Sequence, residues 1–130
     1  MKIALIQLNL SENMHDNLEK ALNAMDEAAA HGAQLVCFPE IQLSPFFPQY
    51  PKGDASCYAI PIDHPMMGSL QEKCRSLSLV GFPNIYLEEV PYRFDASPVI
   101  DTDGSLLGIS KMVHIIQAPC FFEQDYYTPS

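Results

Sequence analysis

The first 38 residues constrain this chain most. Lys2–Leu8 (KIALIQL) is a short, mostly apolar run, and it reads as a strand with much of both faces buried. After the polar Ser11, Glu12 and Asn13, the residues Met14, Leu18, Ala21, Leu22, Met25, Ala28 and Ala29 recur at spacings of three and four. That spacing places them on one stripe of a helix. Asn13 suits the N-cap and Asp16 the first turn, while Gly32, after His31, suits a left-handed closing residue. Gln34–Phe38 (QLVCF) is a second apolar run. Two strands separated by one helix predict a right-handed crossover with parallel strands. The chain is therefore expected to be α/β from its first element. In open α/β sheets, ligands bind at the carboxyl ends of such strands.

Pro39 and Glu40 close the second strand. Between Ser44 and Pro65 the prolines at 45, 48, 51, 61 and 65 alternate with Phe46, Phe47, Tyr50 and Tyr58. Proline at that density excludes a helix or a central strand, and the aromatics argue for a packed loop. A second amphipathic helix is expected over Gly68–Ser76, with Leu70, Cys74 and Leu77 inward, and a strand over Leu77–Leu87. Ala96–Ile100 and Leu106–Ser110 form a hairpin around Asp101-Thr102-Asp103-Gly104, where Gly104 supplies the positive φ. Ile115–Ser130 reads as an aromatic-rich loop.

Charge narrows the partners. Acidic residues outnumber basic ones 16 to 7, for a formal net charge of −9. Nucleic acid and anionic membrane surfaces both require clustered Lys and Arg, so neither is an expected partner. No apolar run is long enough to span a bilayer. The run at Met1–Leu10 is interrupted by Gln7 and Asn9 and has no small-residue cleavage site, which favours a strand over an export signal. Four cysteines at 37, 57, 74 and 120 contain no C-x-x-C pair. Reduced thiols in the cytoplasm are the expectation.

Three residues are candidates for chemistry. Glu40 stands at the carboxyl end of a parallel pair, beside Phe38, Phe46 and Phe47, where partial desolvation raises a carboxyl pKa toward that of a useful base. A solvated loop glutamate is the plainer alternative. Lys111 is the only basic residue between Phe94 and Ser130, placed to stabilise an oxyanion or to snorkel from a strand end. Glu123 lies among aromatics, as an orienting group or a surface cap. Cys120 reads as a small buried thiol more readily than as a nucleophile, and His114 as a structural histidine more readily than as a base. No Cys/His cluster has zinc spacing, and no glycine-rich phosphate loop is present.

Five stretches, in order, carry a resemblance: KIALIQLNL with its helix, GAQLVCFPE ending in Glu40, SPVIDTDGSLLGISK, MVHI and FFEQDYYTPS. Together they resemble the carbon–nitrogen hydrolase (nitrilase) superfamily, and especially its N-carbamoylputrescine amidase-like branch, in which the last stretch is similar to F-Y-E-K-x-Y-x-x-P-G. The resemblance runs collinearly from Lys2 to Ser130. It implies the N-terminal half of an α-β-β-α four-layer sandwich, with residues 1–130 forming a single incomplete domain. It also implies hydrolysis of a small non-peptide amide or N-carbamoyl compound by a Glu-Lys-Cys mechanism, without metal or organic cofactor. By motif, Glu40 takes the role of general base, Lys111 that of oxyanion stabiliser and Glu123 that of substrate-positioning carboxylate.

The sequence departs from the family pattern in two places. The family motif G-x-Y-R-K-x-H aligns without gaps to Gly108–His114, and its lysine then falls on Met112, with Lys111 one place early. A one-residue slip on a strand turns a side chain to the opposite face unless a bulge restores it. Lys111 as the catalytic lysine and a variant site with no lysine are therefore both open. The family's nucleophilic cysteine lies in a later strand–turn segment that these residues do not reach, so the chain alone is expected to be inactive. Sheet surface meant for the missing half would then favour a homo-oligomer. The alternatives are a non-catalytic domain that binds a ligand or partner through residues 44–58, and a hydrolase that uses Cys120.

Overall fold

In the computed structural model, which describes residues 1–130, the parallel crossover forms as predicted. Strand β1 (Ile3–Leu5), helix α1 (Met14–Ala30) and strand β2 (Leu35–Cys37) follow one another, and β1 pairs parallel to β2 with Ile3 opposite Leu35. The Asn13 side chain accepts the backbone N–H groups of His15 and Asp16 at 2.9 and 3.3 Å, capping α1. Gly32 closes the helix at φ +79°.

The remaining elements are helix α2 (Pro65–Leu77) and strands β3 (Val80–Phe82), β4 (Ile85–Glu89), β5 (Tyr92–Ile100), β6 (Leu106–Lys111), β7 (Gln117–Ala118) and β8 (Phe121–Phe122). The main sheet runs β1-β2-β3-β5-β4, with β6 on the other side of β5, and is parallel through β3 and antiparallel beyond it. This is a mixed-sheet α/β fold. Helix α2 begins three residues earlier than predicted, because Pro65 occupies the first helical turn, where a missing N–H costs nothing. The single strand expected over 77–87 is broken at Pro83-Asn84 into β3 and β4. β5 is longer than expected, because the turn at Val90-Pro91 adds a second hairpin. The stretch 115–130 contains the small β7–β8 ribbon and a 3-10 turn at Glu123–Asp125.

Strand register assigns each side chain to a face. Ile85, Leu87, Phe94, Ala96 and Ile100 share one face of the sheet and join the core formed with Leu18, Met25, Met67 and Leu70 of the two helices. Tyr86, Asp95 and Ser97 point to the other face. There a second cluster of Ile41, Phe47, Ala55, Tyr86 and Tyr127 gathers the proline-rich loop and the C-terminal segment. The loop is packed through its aromatics, with Phe47 stacked on Tyr58 at 5.8 Å and tilted against Tyr86 at 4.9 Å.

Near β1 this second face is bare. β1 was expected to be buried on both faces, but Ile3 is 52% and Leu5 79% exposed, and only Ala4 packs toward the helices. The helices cover one side only, and β1 is the edge strand of the sheet.

The hairpin turn joins the sheet to α2. Gly104 sits at φ +85°, and a Cβ there would lie 2.8 Å from the backbone oxygen of Gln71, whose side chain donates to Gly104 O at 3.0 Å. Gly104→Ala is therefore expected to cost about 2 kcal/mol from left-handed strain and forced separation of turn and helix. Urea denaturation against wild type measures it, and an unchanged midpoint would remove this role for the turn.

Candidate active site

The site begins where β2 ends. Phe38 still donates to Phe82 O at 3.1 Å, Pro39 has no N–H to continue the ladder, and the chain turns at Glu40. Two asparagines lock the turn. Asn84 Oδ1 accepts the N–H of Ile41, which is held at φ +42°. The Asn84 backbone exchanges bonds with Gln42, its N–H donating to Oε1 and its carbonyl accepting the Gln42 N–H, both at 3.1 Å. From α1, the fully buried Asn17 donates to Leu43 O at 3.0 Å. Glu40 thus projects from a backbone fixed on both sides.

Three carboxyls meet on this face. Asp95, on β5, is 4% exposed, and its Oδ1 accepts from Asn84 Nδ2, which also reaches Ser97 Oγ at 3.1 Å. Apart from the Glu40 carboxyl, Asp95 Oδ2 has no donor. Glu123, from the 3-10 turn, is 5% exposed and accepts the Ile116 N–H at 3.4 Å. Tyr127 donates its hydroxyl to Glu40 Oε1 at 3.3 Å from within the aromatic cluster. Burial, reinforced by the neighbouring charges of Asp95 and Glu123, pushes the Glu40 carboxyl up to about 8. Burial likewise raises Asp95, against the pull of the Asn84 bond. Burial also raises Glu123, partly offset by the Ile116 N–H. Glu40 is therefore a desolvated carboxyl that holds its proton near neutrality and has Asp95 at hand to share it.

Lys111 makes no ion pair with this group. It pairs with Ala96 across β5–β6, which puts it on the helix-covered face. There its ammonium binds Glu89 and lies 4.0 Å from the centre of the Phe94 ring. The only register shift in that ladder falls at Val99/Ile100, beyond the lysine, and does not turn it back. The ammonium of Lys111, expected beside Glu40, is thus paired with Glu89 in this structure. Met112 occupies the position on the site face, its N–H donating to Asp95 O at 2.9 Å. A cleft of about 350 Å³ is lined by Phe38, Glu40, Asn84, Asp95, Ser97, Ser110, Lys111 and Met112, with the Lys111 ammonium bound to Glu89.

The other candidates lie elsewhere. Cys120, expected to be buried, is exposed, because it occupies the turn between β7 and β8 at φ +65°. Cys74 is buried in the core, where desolvation pushes its thiol up to about 11. Cys57 is exposed in the loop, and none of the four thiols lines the cleft. His114 is exposed on the segment after β6. Phe46 packs edge-on to Phe121 at 5.8 Å and does not line the cleft. Asn84, Asp95 and Tyr127 were not singled out from sequence. Asn84 follows Pro83 at a strand break, the one local signal that could have marked it.

A half-buried glutamate at the carboxyl edge of a parallel pair, clamped by its own turn and flanked by a buried glutamate, belongs to an enzyme-like site on an α/β sheet. The chain belongs to the carbon–nitrogen hydrolase family, whose model matches residues 2–130. It is 27% identical over 128 residues to an N-carbamoylputrescine amidase of Arabidopsis thaliana, covering 98% of this chain and 43% of that protein. It is 33% identical over 118 residues to an omega-amidase of Mus musculus, covering 88% of this chain and 40% of that one. The chain thus spans under half the length of these relatives. Among solved structures, a carbon–nitrogen hydrolase from Helicobacter pylori superposes on the whole chain with a TM-score of 0.91 at 17% identity, over 45% of its own length. A Nesterenkonia amidase does so with 0.81 at 21%, over 48% of its length. No helix of the chain is long and apolar enough to cross a membrane.

Proposed function

We propose that Glu40 is the general base of a carbon–nitrogen hydrolase site acting on a small amide or N-carbamoyl compound, with the attacking thiol supplied from outside residues 1–130. The observation that carries this reading is the desolvated Glu40 carboxyl at the carboxyl edge of β2, hydrogen-bonded by Tyr127. In its ionised form the Glu40 carboxylate takes the thiol proton, the thiolate attacks the amide carbon, and the C–N bond breaks as the protonated acid delivers its proton to the departing ammonia; water then hydrolyses the acyl thioester, giving the product acid or carbamate and restoring the thiol. Glu123, buried beside this pair, accepts from the substrate amide and orients it. Lys111 is not part of this proposal, since its ammonium is engaged by Glu89.

The test is ammonia release from N-carbamoyl amines and from simple amides by two proteins. One is the 130-residue chain. The other is the same chain continued through a later cysteine-bearing strand–turn segment. The longer protein is expected to release ammonia and the shorter one to show no turnover. Turnover by the 130-residue chain would refute the external thiol, and an inert longer protein would refute the hydrolase reading.

A further inference from the structure

Glu40 and Asp95 face one another in the cleft on a shared frame. Asp95 is buried in β5, with Tyr86 of β4 opposite it and its carbonyl accepting the Met112 N–H at 2.9 Å. One side chain then orients both acids. Asn84 donates Nδ2 to Asp95 Oδ1, and its Oδ1 accepts the N–H of Ile41, the residue after Glu40.

The bonds around the pair say where the Glu40 proton sits. Tyr127 donates its hydroxyl to Oε1 at 3.3 Å. In a carboxylic acid the carbonyl oxygen is the better acceptor, so the proton belongs on Oε2. Asn84 occupies Asp95 Oδ1, which leaves Oδ2 to accept that proton, and no other donor reaches it. The remaining charged groups do not compete. Glu123, from the 3-10 turn, is a further acid. Lys111, on β6, borders the cleft with its ammonium bound to Glu89.

We propose that Asp95 is a positioning residue for the base: its Oδ2 holds the Glu40 proton on Oε2 and so sets the pH at which Glu40 is free to accept a proton from a thiol. The proposal rests on the reading of Glu40 as general base and names the group that tunes it. An ordinary carboxylate is a poor base toward a thiol, whose own pKa is about 8.5. Burial first, and Asp95 next, bring Glu40 to about 8, close to that value. When the ionised Glu40 takes the thiol proton onto Oε2, Asp95 keeps its charge and accepts a hydrogen bond from the acid so formed.

The experiment is a carbon-13 titration of the side-chain carboxyls of the 130-residue chain from pH 5 to 9.5, in wild type, Asp95→Asn and Tyr127→Phe. Wild-type Glu40 is expected to titrate near pH 8, and the Asp95 carboxyl carbon to shift with the same midpoint as the shared proton leaves. Asp95→Asn keeps an acceptor for Asn84 and the burial but removes the charge, so Glu40 should titrate about one pH unit or more lower. Tyr127→Phe removes a hydrogen bond that favours the ionised form, so it should move Glu40 upward. Mere loss of packing would hydrate the cleft and lower Glu40 in both variants. A Glu40 midpoint that Asp95→Asn moves by less than about 0.3 of a pH unit would overturn the proposal. So would a downward move in both variants, or a wild-type Asp95 carbon that stays flat through the Glu40 transition, a readout that needs no variant to fold. None of these measurements needs turnover, so loss of the hydrolase reading in the ammonia assay is a separate result.

Discussion

Glu40→Gln is expected to stabilise the 130-residue chain at alkaline pH and, in a longer protein that carries the thiol, to remove 10²–10⁴-fold of the turnover, about the worth of a general base. The stability effect follows from the direction of the Glu40 shift. Its carboxyl is raised from 4.5 to about 8 in the fold, with burial as the largest cause and Asp95 next. Between those values the unfolded chain has released the proton while the folded chain still holds it. Stability therefore falls as pH rises through this window, at up to about 1.4 kcal/mol per pH unit. The cleft is partly open to water, which reduces the total to on the order of 3 kcal/mol.

Glutamine has no proton to lose, and its amide can donate to Asp95 in place of the protonated carboxyl. At pH 5 the variant and wild type should unfold alike. By pH 8.5 the variant should be more stable by on the order of 2–3 kcal/mol, a melting-point gain of roughly 5–10 °C for a chain of this size. A residual slope should remain, because Asp95 and Glu123 are raised as well. Thermal unfolding from pH 5 to 8.5 measures it. Parallel profiles for the two proteins would mean that Glu40 is solvated in the fold, and the base assignment would go with it.

What the sequence made legible was whatever depends on local pattern. The helix stripe from Met14 to Ala29, its Asn13 cap and the Gly104 turn follow from spacing and from residue types with narrow backbone preferences. Glu40 could be placed at a strand end on the same grounds. The rest depends on contacts far apart in the chain. Asp95 reads as one acid in an alternating strand, and only pairing with β4 and β6 sets it opposite Glu40. Tyr127 reads as one aromatic among several until the C-terminal segment folds back, Thr128 donating to Arg93 O at 2.7 Å. Lys111 shows the limit most directly. Its nearness to the family lysine position was visible, but its face depended on whether a bulge fell before it, which no residue near it determines.

Asn84→Ala is expected to be among the most destabilising single changes available in this chain, at about 4 kcal/mol. Asn84 is 9% exposed, and its side chain serves three elements at once: the Ile41 N–H at the site turn, Asp95 on β5 and Ser97 Oγ. Truncation leaves the Ile41 N–H and Asp95 Oδ1 unsatisfied in a buried setting, at about 1–3 kcal/mol each. It also removes the bond that holds Ile41 in the left-handed region, a conformation that persists only when its surroundings enforce it. The bonds between the Asn84 backbone and Gln42 survive, so the β3–β4 connection stays tied to the turn and the damage centres on Ile41 and Asp95.

Two comparisons separate this account from a general loss of packing. Ser97→Ala removes only the weakest of the three contacts and should cost about 1 kcal/mol. Asn84→Asp keeps the acceptor for Ile41 but replaces the donor to Asp95 with a fourth carboxyl. Its destabilisation should be largest above pH 7 and should shrink as pH falls and the carboxyls take up protons. Urea unfolding of the three variants at pH 5.5 and 8 distinguishes the cases. If Asn84→Ala lay within 1 kcal/mol of wild type at both values, the turn would be held by something other than Asn84. The fixed position of Glu40, on which the base role depends, would then need another source.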